Sequence, residues 1–327
     1  MKAICVKEPG GPEQLFTCEV PEPAVGDNDI MVRVRAAGVN RADILQRKGM
    51  YPPPSGASDI LGLEVAGEVE RVGPKCRRWG PGDRVFAVVS GGGYAQKAVF
   101  HESLAMPVPE VLDHPRAAAV GEVFLTAYQA LFWLGNLQKG ETVLIHAGAS
   151  GVGTAAVQLA HRNGCRVLVT AGTQEKADAC RDLGADVGIV YRSEDFNERV
   201  LAVTEGHGVD VILDFIGGSY FAKNLGCIAL DGRLVILSLL GGRYPRDADL
   251  GVLLQKRIRI IGSTLRSRSL DYRARLAEEF VQRWLPKFST GDLKPIVDRV
   301  LPWVQAAEAH RVMEGNRNIG KIILSVD

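Results

Sequence analysis

The 327-residue chain is long enough for two domains at about 100–200 residues each. Its 39 Lys and Arg residues nearly balance its 38 Asp and Glu residues, which leaves a net charge of +1. This balance argues against a protein drawn by its overall charge to nucleic acid or to an anionic membrane, so neither is expected as a partner.

The sequence lacks the patterns of export and of membrane insertion. Residues 1–10 are polar and contain glycine, unlike the charged start of a signal peptide, and no window approaches the ~18 apolar residues of a membrane helix. The six cysteines are scattered, and no two have C-x-x-C spacing. We interpret them as reduced thiols that mostly fill the core, and we expect a cytoplasmic protein.

The first part of the chain, up to about residue 101, has the pattern of a β-rich domain. Short β-like runs, such as residues 29–39 and 64–73, are interrupted by glycine and proline. Alternating apolar and polar residues at 31–34 and 68–72 are typical of half-buried antiparallel strands. The pattern predicts a sandwich or a partial barrel.

From residue 115 onward, helical segments alternate with apolar strands. The predicted helices are 116–132, 153–163 and 176–183, and the predicted strands are 143–146, 166–171, 211–215, 233–237 and 258–262. Strands separated by helices in this way indicate a doubly wound parallel sheet, and therefore an α/β fold.

Beyond residue 263 the pattern changes again. The sequence predicts a long helix at 272–288, a strand at 297–301, a helix at 305–314 and a last strand at 320–326. We expect this segment to complete the β-rich domain, with the parallel sheet as an insertion. The predicted domains are residues 1–120 with 268–327, and residues 121–267.

The most informative stretch is a glycine-rich turn within residues 142–158, TVLIHAGASGVGTAAVQ. Glycines between a strand and a helix let backbone amides approach a pyrophosphate, which the positive end of the helix attracts. The spacing is G-x-x-G-x-G rather than the standard G-x-G-x-x-G, and a tight turn without a ligand would use the same residues. We predict a dinucleotide site formed by Ala147, Gly148, Ala149, Ser150, Gly151, Val152 and Gly153.

The end of the second predicted strand indicates which nicotinamide cofactor binds. NAD-binding chains usually carry Asp or Glu there, about 20 residues after the turn, for the ribose 2′-hydroxyl. Here Gly172 and Thr173 follow the strand, and Lys176 offers a positive charge to a 2′-phosphate. This pattern favours NADPH. The alternative is that Glu175 binds the ribose and Lys176 is an ordinary exposed lysine.

Five segments of the chain form a recognisable set. They are GVNRADILQRKGMYPPP (38–54), LGLEVAGEVERVG (61–73), GDRVFAVVSGGGYAQ (82–96), VLIHAGASGVGTAAVQLA (143–160) and NRNIGKIIL (316–324). Together they resemble the zinc-free, zeta-crystallin-like quinone oxidoreductase branch of the medium-chain dehydrogenase/reductase superfamily. The resemblance covers essentially the whole chain. It implies a GroES-like substrate domain, a Rossmann domain and a cleft between them.

The resemblance also implies that no metal takes part. Zinc-dependent relatives have a cysteine ligand where this chain has Asn40, and a histidine ligand where it has Leu63. An amide and an aliphatic side chain cannot supply the thiolate and imidazole that Zn²⁺ prefers. The cysteine cluster of the structural-zinc loop is missing as well. We therefore expect an enzyme without a metal site.

Reduction of a quinone suits such an enzyme, because a quinone accepts hydride readily and mainly needs orientation and hydrogen-bond donors. Tyr51 and Asn40 follow the strand-like residues 32–37, and each offers a donor to a carbonyl oxygen. We expect these two to be the catalytic residues. Each has a structural alternative, since Tyr51 lies next to three prolines and asparagine is common in turns.

Further cofactor contacts are implied by the resemblance. Ligands of doubly wound folds lie at the carboxyl ends of the strands. The expected contacts are Tyr191, at the 2′-phosphate, then Ile216, Gly217, Leu240, Leu265 and Arg266 after later strands, and Asn318, which closes over the cofactor. The glycines at 217–218 and 241–242 are also consistent with plain turns.

The sequence thus predicts an NADPH-dependent quinone reductase that transfers hydride directly. Two alternatives are open: a reductase of α,β-unsaturated carbonyls, such as alkenals or enoyl thioesters, and a nucleotide-sensing RNA-binding protein, against which the charge balance argues. A homodimer through the Rossmann domain is expected, because residues 257–263 form an apolar strand suited to a sheet edge.

Overall fold

The structure, a computed structural model, describes residues 1–246 and 248–326. The chain divides into two compact units. The first is formed by Met1–Leu125 with Leu265–Asp327, and the second by Thr126–Thr264. The domain bounds predicted from the sequence lie a few residues away from these unit bounds.

Strands dominate the first unit, whereas strands and helices alternate in the second. In chain order the strands are β1 Lys2–Val6, β2 Leu15–Glu19, β3 Asp29–Gly38, β4 Glu64–Val72, β5 Arg84–Val88, β6 Lys97–His101, β7 Ala105–Pro107, β8 Thr142–Ile145, β9 Arg166–Ala171, β10 Val187–Val190, β11 Val209–Asp214, β12 Ile228–Ile236, β13 Arg259–Gly262, β14 Val297–Pro302 and β15 Lys321–Ser325. The helices are α1 Arg41–Arg47, α2 His114–Ala117, α3 Gly121–Tyr128, α4 Gly151–Arg162, α5 Gln174–Arg181, α6 Phe196–Val203, α7 Phe221–Cys227, α8 Leu250–Lys256, α9 Leu270–Arg283, α10 Pro286–Ser289 and α11 Ala306–Glu314.

The first unit is built on a mainly antiparallel sheet. Its strand order is β14-β15-β3-β4-β5-β7, and β6 pairs with β3. The last strand, β15, pairs antiparallel with β3, so the C-terminal segment completes the β-rich unit. Val32 and Val65 from the central strands share a buried core with Trp303 and Val312 from the C-terminal segment.

The second unit contains a parallel sheet with the order β10-β9-β8-β11-β12-β13. Leu144, Leu168 and Leu234 are fully buried in it, which explains the apolar runs in the sequence. The strand order reverses between β8 and β11, and doubly wound folds bind ligands at the carboxyl ends of the strands at such a point. The predicted α/β fold with a doubly wound sheet and a β-rich unit is confirmed.

Several elements differ from the sequence prediction. The predicted helix 272–288 ends at Arg283 and a new helix starts at Pro286, because proline inside a helix removes a hydrogen bond and clashes with the preceding turn. The predicted helix 116–132 consists of α2, α3 and a π-helical segment, Gln129–Leu134. The sequence patterns do not predict β10, α6, α7 or α8, which are only 4 to 8 residues long.

The expectation of six reduced cysteines is wrong for one pair. Cys5 and Cys18 form a disulfide between β1 and β2. The antiparallel register pairs Cys5 with Phe16 and Cys18 with Ala3, which places the two cysteines diagonally across the ladder with their Cα atoms 6.0 Å apart. Sequence spacing alone does not reveal this contact. The free cysteines are buried, namely Cys76, Cys165, Cys180 and Cys227. The cytoplasmic location stays a prediction.

One helical run also contradicts the expectation that no segment is apolar enough to cross a membrane. His114–Leu134, 21 residues long, has the necessary length and hydropathy. However, 72% of its apolar window is buried inside the fold, as in the core helix of a soluble protein. Length and composition alone therefore give only weak support for a membrane span.

Strand β13 forms one edge of the parallel sheet. Ile260 on this strand is exposed, and Leu250 and Leu254 are exposed on helix α8, which precedes it. An unpaired strand edge with apolar side chains favours the addition of a strand from a second copy across a two-fold axis.

We therefore predict a homodimer joined through β13. Ile260→Lys is expected to give a monomer with an unchanged circular dichroism spectrum, because a charged side chain on a strand edge opposes pairing. Light scattering at micromolar concentration measures the mass. Val304→Lys, at an exposed valine of the first unit, is the matched control and should leave the dimer intact. A monomeric wild-type protein under these conditions would contradict the prediction.

Candidate functional site

The predicted glycine turn joins β8 to α4. Ser150 is the N-cap of α4, and its hydroxyl accepts a hydrogen bond from the Gly153 amide at 3.1 Å. A Cβ atom at Gly153 would collide with the carbonyl oxygens of Ala147 and Gly148, and one at Gly148 would lie 2.7 Å from the Cβ atom of Val169. Both glycines are therefore required by the close approach of the turn, the helix and the next strand.

The same turn has the shape and charge that suit a diphosphate. Helix α4 is 12 residues long, and its first amides lack intrahelical partners, so this end carries a partial positive charge. Ala147, with a φ of 49°, turns the chain sharply before the helix begins. The predicted cofactor residues 147–153 thus form one continuous backbone cradle at the end of β8.

The predicted 2′-phosphate contacts lie at the ends of β9 and β10. Thr173 is the N-cap of α5, and its hydroxyl accepts a hydrogen bond from the Lys176 amide at 3.3 Å. A Cβ atom at Gly172 would lie 3.0 Å from the hydroxyl oxygen of Tyr191. The fold therefore brings Tyr191 against Gly172, and the alternative ribose ligand, Glu175, is exposed in the first turn of α5.

A buried polar network holds the loop after β11. His146 is fully buried, with Nε2 2.8 Å from Oδ1 of Asn224. The Asn224 amide nitrogen donates to Asp214, whose carboxylate accepts the amides of Ile216 and Gly217 at 2.7 and 3.1 Å. Burial lowers the pKa of His146, which favours the neutral ring. His146 is thus a structural residue, and the network fixes two of the predicted cofactor contacts.

The loops after β11 and β12 are hydrogen-bonded to each other. The Gly218 amide donates to the Gly242 carbonyl at 2.9 Å, and the Leu240 amide donates to the Phe215 carbonyl at 3.1 Å. Gly217 has a φ of 77°, which favours glycine. These bonds agree with the plain-turn interpretation of the glycines. They also present Gly217 and Leu240 at the carboxyl edge of the sheet, where the glycine turn lies.

In the first unit, Tyr51 lies against Arg266. The Cζ atom of Arg266 is 5.3 Å from the centroid of the Tyr51 ring, within the range of a cation–π contact. Burial raises the pKa of Tyr51, while the nearby Arg266 acts in the opposite direction. The phenol is therefore protonated at neutral pH and can donate. Leu265, which precedes Arg266 in the chain, is buried and lines a small pocket with Val88.

Asn40 is the N-cap of α1, and both ends of its side-chain amide are hydrogen-bonded. Nδ2 donates to the Gly38 carbonyl at 3.2 Å and to the Glu64 carboxylate at 3.0 Å. Oδ1 accepts from Nζ of Lys321 at 2.8 Å. Donation from Asn40 to a substrate would therefore require the loss of one of these bonds.

Lys321 and Glu64 form a buried ion pair beside Asn40, with side chains only 3% and 1% exposed. The ammonium group also donates to the Val39 carbonyl at 2.8 Å, so all three of its hydrogens have acceptors. The other carboxylate oxygen of Glu64 accepts the Glu122 amide at 2.8 Å. Burial raises the pKa of Glu122 to about 7, and the charge of Glu64 adds to this shift. Neither member of the ion pair is among the residues predicted from the sequence.

A second buried network starts at Asp43. Its carboxylate accepts the Gly62 amide at 3.1 Å and the Tyr94 hydroxyl at 3.2 Å. The Tyr94 oxygen is 3.3 Å from Nε2 of His310, and Nη1 of Arg47 is 3.1 Å from Nδ1. Because arginine can only donate, His310 accepts at Nδ1 and donates to Tyr94. Burial, with the Arg47 charge, lowers the pKa of His310 to about 3. The network ties α1 to the loops that precede β4 and β6 and to helix α11.

Two remaining predictions concern Asn318 and the zinc positions. The Asn318 side chain donates to the Gly320 carbonyl at 2.7 Å within its own turn, and its contact with a cofactor stays a prediction. Leu63 is buried in the core. Within residues 1–246 and 248–326, no three or more His, Cys, Asp or Glu side chains are grouped so as to hold a metal ion.

The chain is similar to known dehydrogenases in both units. Residues 26–110 match the family described as the alcohol dehydrogenase GroES-like domain, and residues 151–282 match the family described as zinc-binding dehydrogenase. Human quinone oxidoreductase is 31% identical over 99% of this chain and 97% of its own length.

Two solved structures have the same fold. The structure of Escherichia coli quinone oxidoreductase complexed with NADPH superimposes on this one with a TM-score of 0.89 at 30% sequence identity. The match covers 99% of this chain and 100% of the Escherichia coli chain. The structure of CurK enoyl reductase matches with a TM-score of 0.87 at 26% sequence identity. That match covers 100% of this chain and 99% of the CurK chain. With the glycine turn on a doubly wound sheet, these similarities identify a nicotinamide-dependent oxidoreductase. The chain belongs to the quinone oxidoreductase family of the medium-chain dehydrogenase/reductase superfamily.

Proposed function

We propose that the protein is an NADPH-dependent quinone reductase that works without a metal ion. The observation that carries the proposal is the environment of Asn40. An amide bound to the Lys321 ammonium stands where zinc-dependent relatives have a thiolate, and an amide oxygen that already accepts from an ammonium group is a poor ligand for Zn²⁺. These groups suit an acceptor that takes hydride readily and needs orientation rather than a Lewis acid.

The second unit has the groups that NADPH requires. The amides at the start of α4 would hold the diphosphate. Thr173, Lys176 and Tyr191, around the small residue Gly172, would hold the 2′-phosphate, with Lys176 as its counter-charge. When bound, the nicotinamide supplies the hydride. The loop fixed by Asp214 and the Leu240 loop would limit where the ring can lie.

Tyr51 would orient the acceptor in the first unit. Its protonated phenol donates a hydrogen bond to a quinone oxygen, and this bond strengthens as negative charge develops there. The quinone gains a hydride from the cofactor and one proton from water, which gives the hydroquinone. Asn40, whose amide is fully engaged, would then act by positioning α1 and the loop that follows it.

Reduction of an α,β-unsaturated carbonyl is the second candidate, favoured by the similarity to CurK enoyl reductase. In that reaction hydride goes to the β-carbon, and the carbonyl oxygen again becomes negative. Steady-state NADPH oxidation with an ortho-quinone, a para-quinone and an enone separates the candidates. Turnover of the enone alone would replace the quinone proposal.

Lys176 should set the preference for NADPH. Lys176→Ala is expected to weaken NADPH binding by about 1–3 kcal/mol, the scale of a charge-assisted hydrogen bond, and to leave NADH binding nearly unchanged. Fluorescence titration of both cofactors measures the effect. Lys139→Ala, an exposed lysine that precedes β8, is the control and should change neither affinity. Equal losses for both cofactors would remove Lys176 from the 2′-phosphate site.

Activity should survive prolonged chelation. The amide of Asn40 and the side chain of Leu63 are poor zinc ligands, and the Asn40 amide oxygen already accepts from the Lys321 ammonium. NADPH-dependent quinone reduction is measured before and after dialysis against a strong chelator, together with elemental analysis. One tightly bound zinc per chain, with activity lost on its removal, would be incompatible with this prediction.

Tyr51 should matter for turnover more than for cofactor binding. Tyr51→Phe keeps the ring against Arg266 but removes the hydroxyl. We expect kcat/KM for a quinone to fall roughly ten- to a hundredfold, about 1.4–2.7 kcal/mol, with little change in NADPH affinity. If Tyr51→Phe is fully active and only Tyr51→Ala is impaired, the ring serves packing and the donor lies elsewhere.

A further inference from the structure

Arg266 is a buried guanidinium fixed by neutral groups. It is 6% exposed. Nε and Nη2 donate to the Ser90 carbonyl at 2.9 and 2.7 Å, and Nη2 also donates to Oε1 of Gln46 at 2.7 Å. The face of Tyr51 lies on one side of it. Three elements of the first unit thus hold this group in one orientation.

The remaining nitrogen of this side chain is not satisfied. Nη1 of Arg266 is buried and has no hydrogen-bond partner among residues 1–246 and 248–326. No carboxylate of these residues lies within ion-pair distance of the guanidinium. Arginine stays charged even when buried, and an unmatched buried donor on a cation is costly. The missing partner has the chemistry of an oxygen that carries negative charge.

A second buried arginine strengthens the positive potential at this place. Arg273 is 8% exposed and donates to the Val88 carbonyl and the Ser90 hydroxyl, both at 2.8 Å. Both acceptors are neutral, and they belong to the same short segment that holds Arg266. Both guanidinium groups donate to residues 88–90. Within residues 1–246 and 248–326 neither forms an ion pair, and the carboxyl of Glu122 acts on both only from a longer distance. Two positive charges without a direct carboxylate partner favour an anion beside Tyr51.

We propose that Nη1 of Arg266, together with the Tyr51 hydroxyl, binds the acceptor oxygen that becomes negative during hydride transfer. The inference rests on the proposed reduction of a quinone or enone and names a second acceptor ligand for it. It also changes the role of Arg266, which the sequence resemblance assigned to the cofactor. Acceptors that are already anionic, such as the ionised form of a 2-hydroxy-1,4-naphthoquinone, should bind especially well.

The interaction explains why Tyr51 and Arg266 lie together. A single hydrogen-bond donor on a loop does not fix the position of the acceptor oxygen, whereas two donors from different segments do. Arg266 is anchored through Ser90 and Gln46, so it loses little freedom when it binds. Because the guanidinium is prearranged and water-excluded, its bond gains strength as charge grows on the oxygen.

The test compares Arg266→Gln and Arg266→Lys with the control Arg275→Gln, an arginine of α9 whose side chain is 72% exposed. We expect Arg266→Gln to lower kcat/KM for a quinone about a hundredfold, the effect of removing one oxyanion donor. NADPH affinity, measured by fluorescence without acceptor, should change less than about twofold. This is well below the tenfold change in affinity that corresponds to about 1.4 kcal/mol. Arg266→Lys keeps the charge and should lie between the wild type and Arg266→Gln. Circular dichroism shows whether Arg266→Gln folds. If it does not fold, Arg266→Lys alone tests the proposal.

Direct binding of the anionic hydroxynaphthoquinone, followed by its absorbance, tests the site without turnover. Its dissociation constant should rise at least about tenfold in Arg266→Gln, and a Tyr51→Phe, Arg266→Gln double variant should lose less than the sum of the single effects. If wild type reduces no quinone or enone, the proposed function fails, while this titration still decides the role of Arg266. Equal losses of NADPH and acceptor binding would return Arg266 to the cofactor site. No change beyond that of Arg275→Gln would leave it only a partner of the Tyr51 ring. Either result overturns the proposal.

Discussion

The buried ion pair between Lys321 and Glu64 is the interaction on which the first unit depends. Lys321 opens the last strand, Glu64 opens β4, and the ammonium also binds the Val39 carbonyl and the Asn40 amide where β3 ends. Three segments far apart in the chain therefore meet at one charge. Breaking such a pair leaves an uncompensated buried ion and costs about 3–5 kcal/mol. The pair also fixes Asn40, and through the start of α1 it sets the origin of the loop that carries Tyr51.

The sequence predicts the elements with strong periodicity and misses those with little. The predicted strand 166–171 has the bounds of β9, Arg166–Ala171, because its apolar run is buried on both faces of a parallel sheet. By contrast, α7 and α8 are seven residues long, too short for a helical period to emerge. The Cys5–Cys18 disulfide could not be predicted for a different reason. It depends on the register of β1 against β2, which cannot be derived from the spacing of the cysteines in the sequence.

The candidate site divides in the same way. The glycine turn is local, so its strand, its cap at Ser150 and its helix could be predicted from consecutive residues. The contact of Tyr191 with Gly172 joins the ends of two strands and could be anticipated only from family resemblance. Lys321 is a charged residue directly before the apolar residues 322–324, which is a weak indication of a buried charge. The sequence does not show that Glu64 and Asn40 are its partners. Polar networks of this kind depend on distances that only the folded chain defines.

Two of the buried cations of the first unit, Lys321 and Arg266, show how a structural charge differs from one that can bind a ligand. Every hydrogen of the Lys321 ammonium has an acceptor, one of them a carboxylate, so the charge is balanced inside the fold. Among the residues that the structure describes, Arg266 contacts a carbonyl, an amide oxygen and an aromatic face, and its Nη1 has no hydrogen-bond partner there. Burial removes the hydration of both side chains. Hydrogen bonds and a carboxylate within the protein replace it fully for Lys321 but not for Arg266. A cation that the fold leaves unbalanced keeps its attraction for an external oxygen, and its place beside the Tyr51 ring makes the acceptor the natural source of that oxygen.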